Sequence, residues 1–250
     1  MKKFIIFFLI VLNSYSQNNG EVLYKLYFNI NEDNDEGFKK EIYNKIKSFS
    51  GELKFSLSYN QNQAVFKNIN ENKINKDDKL ALIYGKYFKY YIDRINKKTY
   101  RFNEESFIFF DKNQYLVFKE INDNWQITNE QKIIDGRNCF KAIIYETAFY
   151  KKYNPQVKIE AWFCPEIPIS LGPLNYSGLP GLIFELNFNN VSYVIETINF
   201  SKDISLNFPK LEENTLISEE NYYALKKKIS NEKKEEYEKQ TQKSLKSNFE

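Results

Sequence analysis

Histidine is absent from this 250-residue chain, and cysteine is limited to Cys139 and Cys164. Those gaps exclude Ser-His-Asp and Cys-His nucleophilic catalysis, an HExxH zinc helix, and any zinc site built from four cysteines or from a pair of cysteines with a pair of histidines. Glycine and proline are scarce, at 8 and 6. Gly178 and Gly181 lack both the spacing and the following Lys-Ser/Thr of a phosphate-binding loop. An excess of one charge is missing too. Lys+Arg 36 against Asp+Glu 33 gives +3, and without Lys2 and Lys3 the balance is 34 − 33 = +1. That is too even to imply a nucleic acid or an anionic membrane as partner. No cofactor is implied.

Aromatic residues are plentiful, with 22 Phe, 19 Tyr and 2 Trp, a composition suited to sheets. Met1-Lys2-Lys3 followed by the apolar run Phe4 to Leu12 and the small residues Ser14 and Ser16 reads as a secretory signal peptide, residues 1–16. The run is well short of the ~20 residues of a membrane span, although an uncleaved anchor is the alternative. No cysteine follows it to accept a lipid. The expected product is exported, periplasmic or outer-membrane-associated, and not membrane-spanning. Export makes two cysteines a candidate disulfide.

Residues 17–208 read as a β-rich domain and 209–250 as a charged helical tail. Glu21 to Ile30 suits a first strand, and Phe38, Ile42, Ile46 and Phe49 recur at helical spacing. Short strands then follow closely: 53–59, 64–66, 86–93 paired with 98–102, 107–110, 115–119, 125–127 and 132–134. Without crossover helices this is an antiparallel meander, forming a twisted or partly closed sheet. Ser218 can cap a C-terminal helix with Glu219 and Glu220 in its first turn and Tyr222, Leu225 and Ile229 as its apolar stripe. Glu32, Asn34, Glu36 and Gly37 fit the start of an EF-hand loop, but Tyr43 stands where its final Glu belongs.

Two hairpins have registers that sort apolar from polar side chains. Asn189-Asn190 can form a type I′ turn, setting Phe188, Leu186, Phe184 and Leu182 against Val191, Tyr193, Ile195 and Thr197. Placing Cys139 opposite Cys164 sets Phe140 on Phe163, Ala142 on Ala161 and Ile144 on Ile159. Lys141 then lies over Trp162 on the other face. Facing cysteines at this spacing predict a Cys139–Cys164 disulfide, closing a loop that adds about 3 kcal/mol in the chain-entropy model.

Trp125-Gln126-Ile127, Lys132 to Ala142, Ala161 to Pro168, Gly172-Pro173 and Gly178 to Leu186 together resemble the GLPGLI family, whose hexapeptide is intact at Gly178–Ile183. The resemblance, strongest over 125–190, implies an exported β-rich Bacteroidota protein of the cell envelope. Relatives encoded beside TonB-dependent receptors suggest such a receptor as partner. It implies no reaction. Pro165, Pro168, Gly172, Pro173, Gly178, Pro180 and Gly181 make a rigid, bent connection of seventeen residues. Read functionally, the connection presents binding candidates Glu166, Asn175, Tyr176, Ser177, Gly178, Leu179, Pro180 and Gly181. Read structurally, it is a corner plugged by Leu179 and Leu182.

Three functions follow in order: a non-catalytic protein that binds an envelope partner, a carrier of an apolar ligand in a curved sheet, and a carboxylate hydrolase. The last would need two of Glu160, Glu166 and Glu185 about 5–10 Å apart across a cleft.

Overall fold

A computed structural model describes residues 18–29, 38–69, 89–103, 114–148, 156–200 and 204–247. The expected signal segment, the acidic loop at 31–37 and the strand at 107–110 lie outside them. The elements are β1 (Gly20–Phe28), α1 (Phe38–Ser48), β2 (Lys54–Tyr59), β3 (Gln63–Asn68), β4 (Lys89–Asp93), β5 (Lys98–Phe102), β6 (Leu116–Glu120), β7 (Gln126–Ile134), β8 (Arg137–Thr147), β9 (Gln156–Cys164), β10 (Leu182–Phe188), β11 (Val191–Phe200), β12 (Leu216–Ser218) and α2 (Glu219–Ser247). No helix among the described residues is long and apolar enough to cross a membrane.

All twelve strands among the described residues belong to one sheet, ordered β12-β6-β5-β4-β3-β2-β1-β11-β10-β9-β8-β7. It is the expected meander twice over, β1–β6 and β7–β11, joined where β1 pairs with β11. Every pairing is antiparallel except β12 with β6, an edge strand the sequence reading omitted.

The connections roll this sheet up. Ten strand spacings separate β6 from β7, about 48 Å in a flat sheet. The linker Ile121–Trp125 between them can span only about 20 Å. Lys119 on β6 and Glu146 on β8 accordingly form an ion pair across the interior, although they stand nine spacings apart. The sheet curls without closing.

The inner face holds the main core. Val22, Tyr24, Leu26, Phe55, Leu57 and Phe66 are fully buried, with the Phe55 and Phe66 rings stacked at 5.3 Å. On the reverse of β3–β6, Val65, Tyr91, Tyr100 and Leu116 form a second cluster under Leu206, Phe208 and Leu216. Of these, Leu216 lies in the region expected to be a helical tail, which therefore begins with an extended stretch ending in β12. α2 itself is capped as expected, Asn221 N donating to Ser218 Oγ at 3.3 Å. Tyr222 packs on Val117, with Leu225 and Ile229 half-buried beside them; from Asn231 to Thr241 the helix is exposed.

The β8–β9 register is the expected one, Phe140 on Phe163 through Ile144 on Ile159. Cys139 and Cys164 therefore face each other; both are free thiols here, and the expected disulfide is not formed in this structure. The 125–127 and 132–134 strands merge into β7, whose excess residues bulge between Ile127 and Gln131, as edge strands often do.

The Asn189-Asn190 turn has both residues at positive φ, 45° and 63°. Phe188–Val191 and Leu186–Tyr193 pair as expected. Phe184–Ile195 and Leu182–Thr197 do not, because β10 shifts register against β9 between Ile183 and Glu185. Backbone bonds explain the shift. Leu182 N donates to Ile167 O and Ile183 N to Leu171 O, each at 2.9 Å. The Ile183 carbonyl accepts the buried Tyr24 hydroxyl at 2.7 Å.

Replacing Tyr24 with Phe strands that carbonyl inside the core. Urea denaturation is expected to show a loss of about 1–3 kcal/mol. Tyr27→Phe, at a partly exposed position of the same strand, stays within about 0.5 kcal/mol of the parent.

Candidate functional site: the seam between the two halves

Residues 165–181 leave β9 and fold against the start of β10. The alternation of side chains is compact: Ile167, Ile169, Leu171, Leu174, Tyr176 and Leu179 are all buried. Leu171 and Ser177 form a two-residue bridge, Gly178 N donates to Ser170 Oγ at 2.9 Å, and the Trp125 indole N–H donates to Ser177 O at 2.8 Å. The linker that rolls the sheet is thus bonded to the hexapeptide segment. Lys97 holds the same linker through Asp123 at 2.8 Å.

Both glycines of the hexapeptide are required by geometry. Gly178 has φ +96° and would place a Cβ 2.6 Å from that of Asp123. A Cβ on Gly181 would overlap the Cys164 carbonyl. The hexapeptide is conformational chemistry: a left-handed residue beside the linker and a bare backbone against β9.

Of the eight binding candidates, Tyr176, Ser177, Leu179 and Gly181 are buried, Asn175 is half-buried, and Glu166, Gly178 and Pro180 are exposed. The segment is therefore mostly packed inward, with a thin exposed rim. Asn175 alone among the eight lines a cleft with Tyr90, Thr99, Arg101, Lys119 and Glu219. This cleft is about 10 Å³, room for about one water.

Arg101 is the central charge there. It contacts Glu219 at 3.5 Å and the Tyr223 hydroxyl at 3.4 Å, and lies 5.5 Å from the centre of the Tyr222 ring. Burial works to lower the pKa of its guanidinium, but the neighbouring phenols and Glu219 together raise it. The sequence reading missed this residue because its partners come from α2, more than a hundred residues later.

On the outer face, Trp162 has Lys132 Nζ 4.3 Å and Lys141 Nζ 5.9 Å from its ring centre. Lys132 also binds Glu185 at 2.7 Å, which accepts Asn187 Nδ2 at 2.7 Å. Lys141 lies 3.4 Å and Lys158 2.5 Å from Glu160. Farther along, Lys25 and Lys54 converge on Glu196 at 2.9 and 2.7 Å. The Lys158 hydrogen bond holds the Glu160 pKa below its ordinary value, and the Lys54 and Lys25 bonds do the same for Glu196. These carboxylates are bridging anions, opposite in character to a general acid with a raised pKa. Glu166 stands apart, exposed at the rim. No cluster of three or more His, Cys, Asp or Glu able to hold a metal occurs among the described residues.

Two outcomes are expected. Gly181→Ala should yield insoluble or unfolded chain, whereas Gly136→Ala, with open space around it but φ +71°, should fold with a loss of about 1 kcal/mol. The bridged Glu160 and Glu196 contribute stability that is complete above the unfolded-chain value of about 4.3. It is lost as pH falls through their lower folded values. Melting temperature should hold down to about pH 4.5 and decline below it, less steeply in concentrated salt because these pairs are largely solvent-screened.

A family model described as "Protein of unknown function (Porph_ging)" matches residues 146–185, which contain β9, the 165–181 segment and the start of β10. No curated protein matches the chain. Among solved structures, PNGF-II in space group C2 is similar, with a TM-score of 0.51 and 15% identity over 84% of this chain and 33% of that one. PNGF-II in space group P21 gives a TM-score of 0.48 at 16% identity, over 83% and 33%. This chain thus spans about a third of PNGF-II, and at such identity the likeness is one of fold. The chain is similar, over its central forty residues, to a family of unknown function, and in its β architecture to one part of a longer protein.

Proposed function

We propose that this protein is an exported, non-catalytic binding module of the bacterial envelope, a member of the GLPGLI group, that docks an envelope protein. The observation that carries the reading is a filled interior beside an open edge. Where a carrier of an apolar ligand needs a hollow, the inner face is occupied by the 165–181 segment on one side and by Tyr222 of α2 on the other. Where a hydrolase needs a carboxylate poised to give or take a proton, Glu160 and Glu185 are engaged by lysines. Among the described residues, β7 has no strand on its outer side. It carries Ile127 and Ile133, 53% and 73% exposed.

The docking surface is this edge. An extended segment of the partner would add to the β7 backbone, with the two isoleucines as its apolar contacts. The start of β7 follows directly on the linker that packs against Gly178, so the exposed rim of the hexapeptide segment adjoins the edge. A TonB-dependent receptor is the partner class suggested by the family resemblance.

Purification of the tagged full chain from the native envelope should recover one stoichiometric envelope protein. A double variant, Ile127→Glu with Ile133→Glu, should lose it while its melting temperature stays within a few degrees of the parent. Retention of the partner by that variant would overturn the docking surface. A defined lipid recovered without a protein would favour the carrier. Intact mass of the same material should show a chain beginning near Gln17; a full-length chain would remove the export reading.

A further inference from the structure

We propose that Cys139 and Cys164 are the two halves of a cross-strand disulfide, and that the Lys132 side chain is the lid that shields it. Its formation in the cell rests on the export reading above. The registers set the pair. Lys132 stands opposite Cys139, and Phe140 opposite Phe163, which brings Cys139 opposite Cys164, beside Lys141 and Trp162 and against the main core. Such neighbours have Cα atoms about 4.5–5.5 Å apart, a spacing a disulfide accepts without backbone movement. The Cys164 sulfur is close enough to raise the Cys139 pKa.

Both cysteines are 0% exposed and reach the main core cluster, whereas Trp162 and Lys141 beside them are half-buried. Lys132 supplies cover. Its chain leaves β7 beside Cys139 and its ammonium reaches Trp162 on β9 and Glu185 on β10, so the stem crosses β8 on the cysteines' side. Leu182, also fully buried, stands opposite Cys164.

Burial, then the neighbouring sulfur, pushes the Cys139 thiol up to about 12. A folded, reduced chain is therefore a poor nucleophile, and the bond forms before β7 docks or when that edge strand frays. The oxidant is an external disulfide, such as oxidised glutathione or a thiol–disulfide oxidoreductase. One cysteine thiolate attacks it, giving a mixed disulfide and releasing the first oxidant thiol. The second cysteine then attacks the protein sulfur of that mixed disulfide and releases the second thiol. Two electrons and two protons pass from the cysteines to the oxidant.

The full chain, unfolded, reduced and refolded with oxidised glutathione, should lose about 2 Da as a monomer, and peptide mapping should join Cys139 to Cys164. A native fold with two free thiols, or cross-linked dimers, would overturn the pairing. The same mass on envelope-purified protein separates the two readings. A cross-link made in vitro but absent there would count against export and leave the pairing standing. For the lid, Lys132→Ala should speed reduction of the folded, cross-linked protein by dithiothreitol roughly tenfold or more. Lys158→Ala, on the same face but not over the pair, should leave the rate unchanged. Equal rates for Lys132→Ala and the parent would remove Lys132 as the lid.

Discussion

The bonds around Ile183 are the constraint on which the rest of the structure depends. Its N–H and carbonyl turn away from the sheet, one to Leu171 and the other to the Tyr24 hydroxyl. A buried peptide cannot leave either group unpaired without a cost of about 1–3 kcal/mol. The register shift in β10 is therefore compensated on both sides. Through Leu171 it fixes the 165–181 segment, and through Tyr24 it ties that segment to β1, at the junction of the two meanders. The GLPGLI hexapeptide ends on this residue. Its conformational demands at Gly178 and Gly181 are the local means of delivering Ile183 to a place where neither polar group is wasted.

Curvature is set elsewhere, by chain length. A five-residue linker joins strands that a flat sheet would hold far apart, so rolling is imposed by covalent reach before any packing is considered. Packing then stabilises the roll. Trp125 and Asp123 attach the linker to opposite sides of the seam, while Lys119 and Glu146 meet across the interior. Arg101 performs the same service for α2, gathering Glu219, Tyr222 and Tyr223 around one guanidinium. Charged groups here act as fasteners between elements distant in sequence.

Much of this was legible from residue order. The meander, the Asn189-Asn190 turn, the Ser218 cap and the full β8–β9 register follow from alternation and turn chemistry, which are local signals. The β10 register was legible only as far as Leu186. Beyond it the alternation Phe184, Leu182 continues on paper, but the backbone of Leu182 and Ile183 is claimed by Ile167 and Leu171, and side-chain patterning carries no record of such a claim. Parallel β12 was hidden by its three-residue length. Arg101 and the second lysine on Trp162 were hidden for a different reason: their partners are set by the roll and by pairing across several strands. For the candidate site, the inward packing of Leu179 and Leu182 was legible in the sequence, whereas the exposed rim of Glu166, Gly178 and Pro180 was not separable from the buried residues beside it.

The central place of β1 in the sheet has a kinetic consequence. β1 pairs with β2 across an intervening segment that carries α1, but its other edge belongs to β11, about 170 residues later in the chain. Until β11 arrives, the N-terminal meander presents a nine-residue, apolar-faced open edge in the middle of what will become the sheet. The order of synthesis and the order of closure therefore run against each other. A chain released vectorially must carry this sticky edge through most of its emergence, and β11 is the segment that ends the exposure.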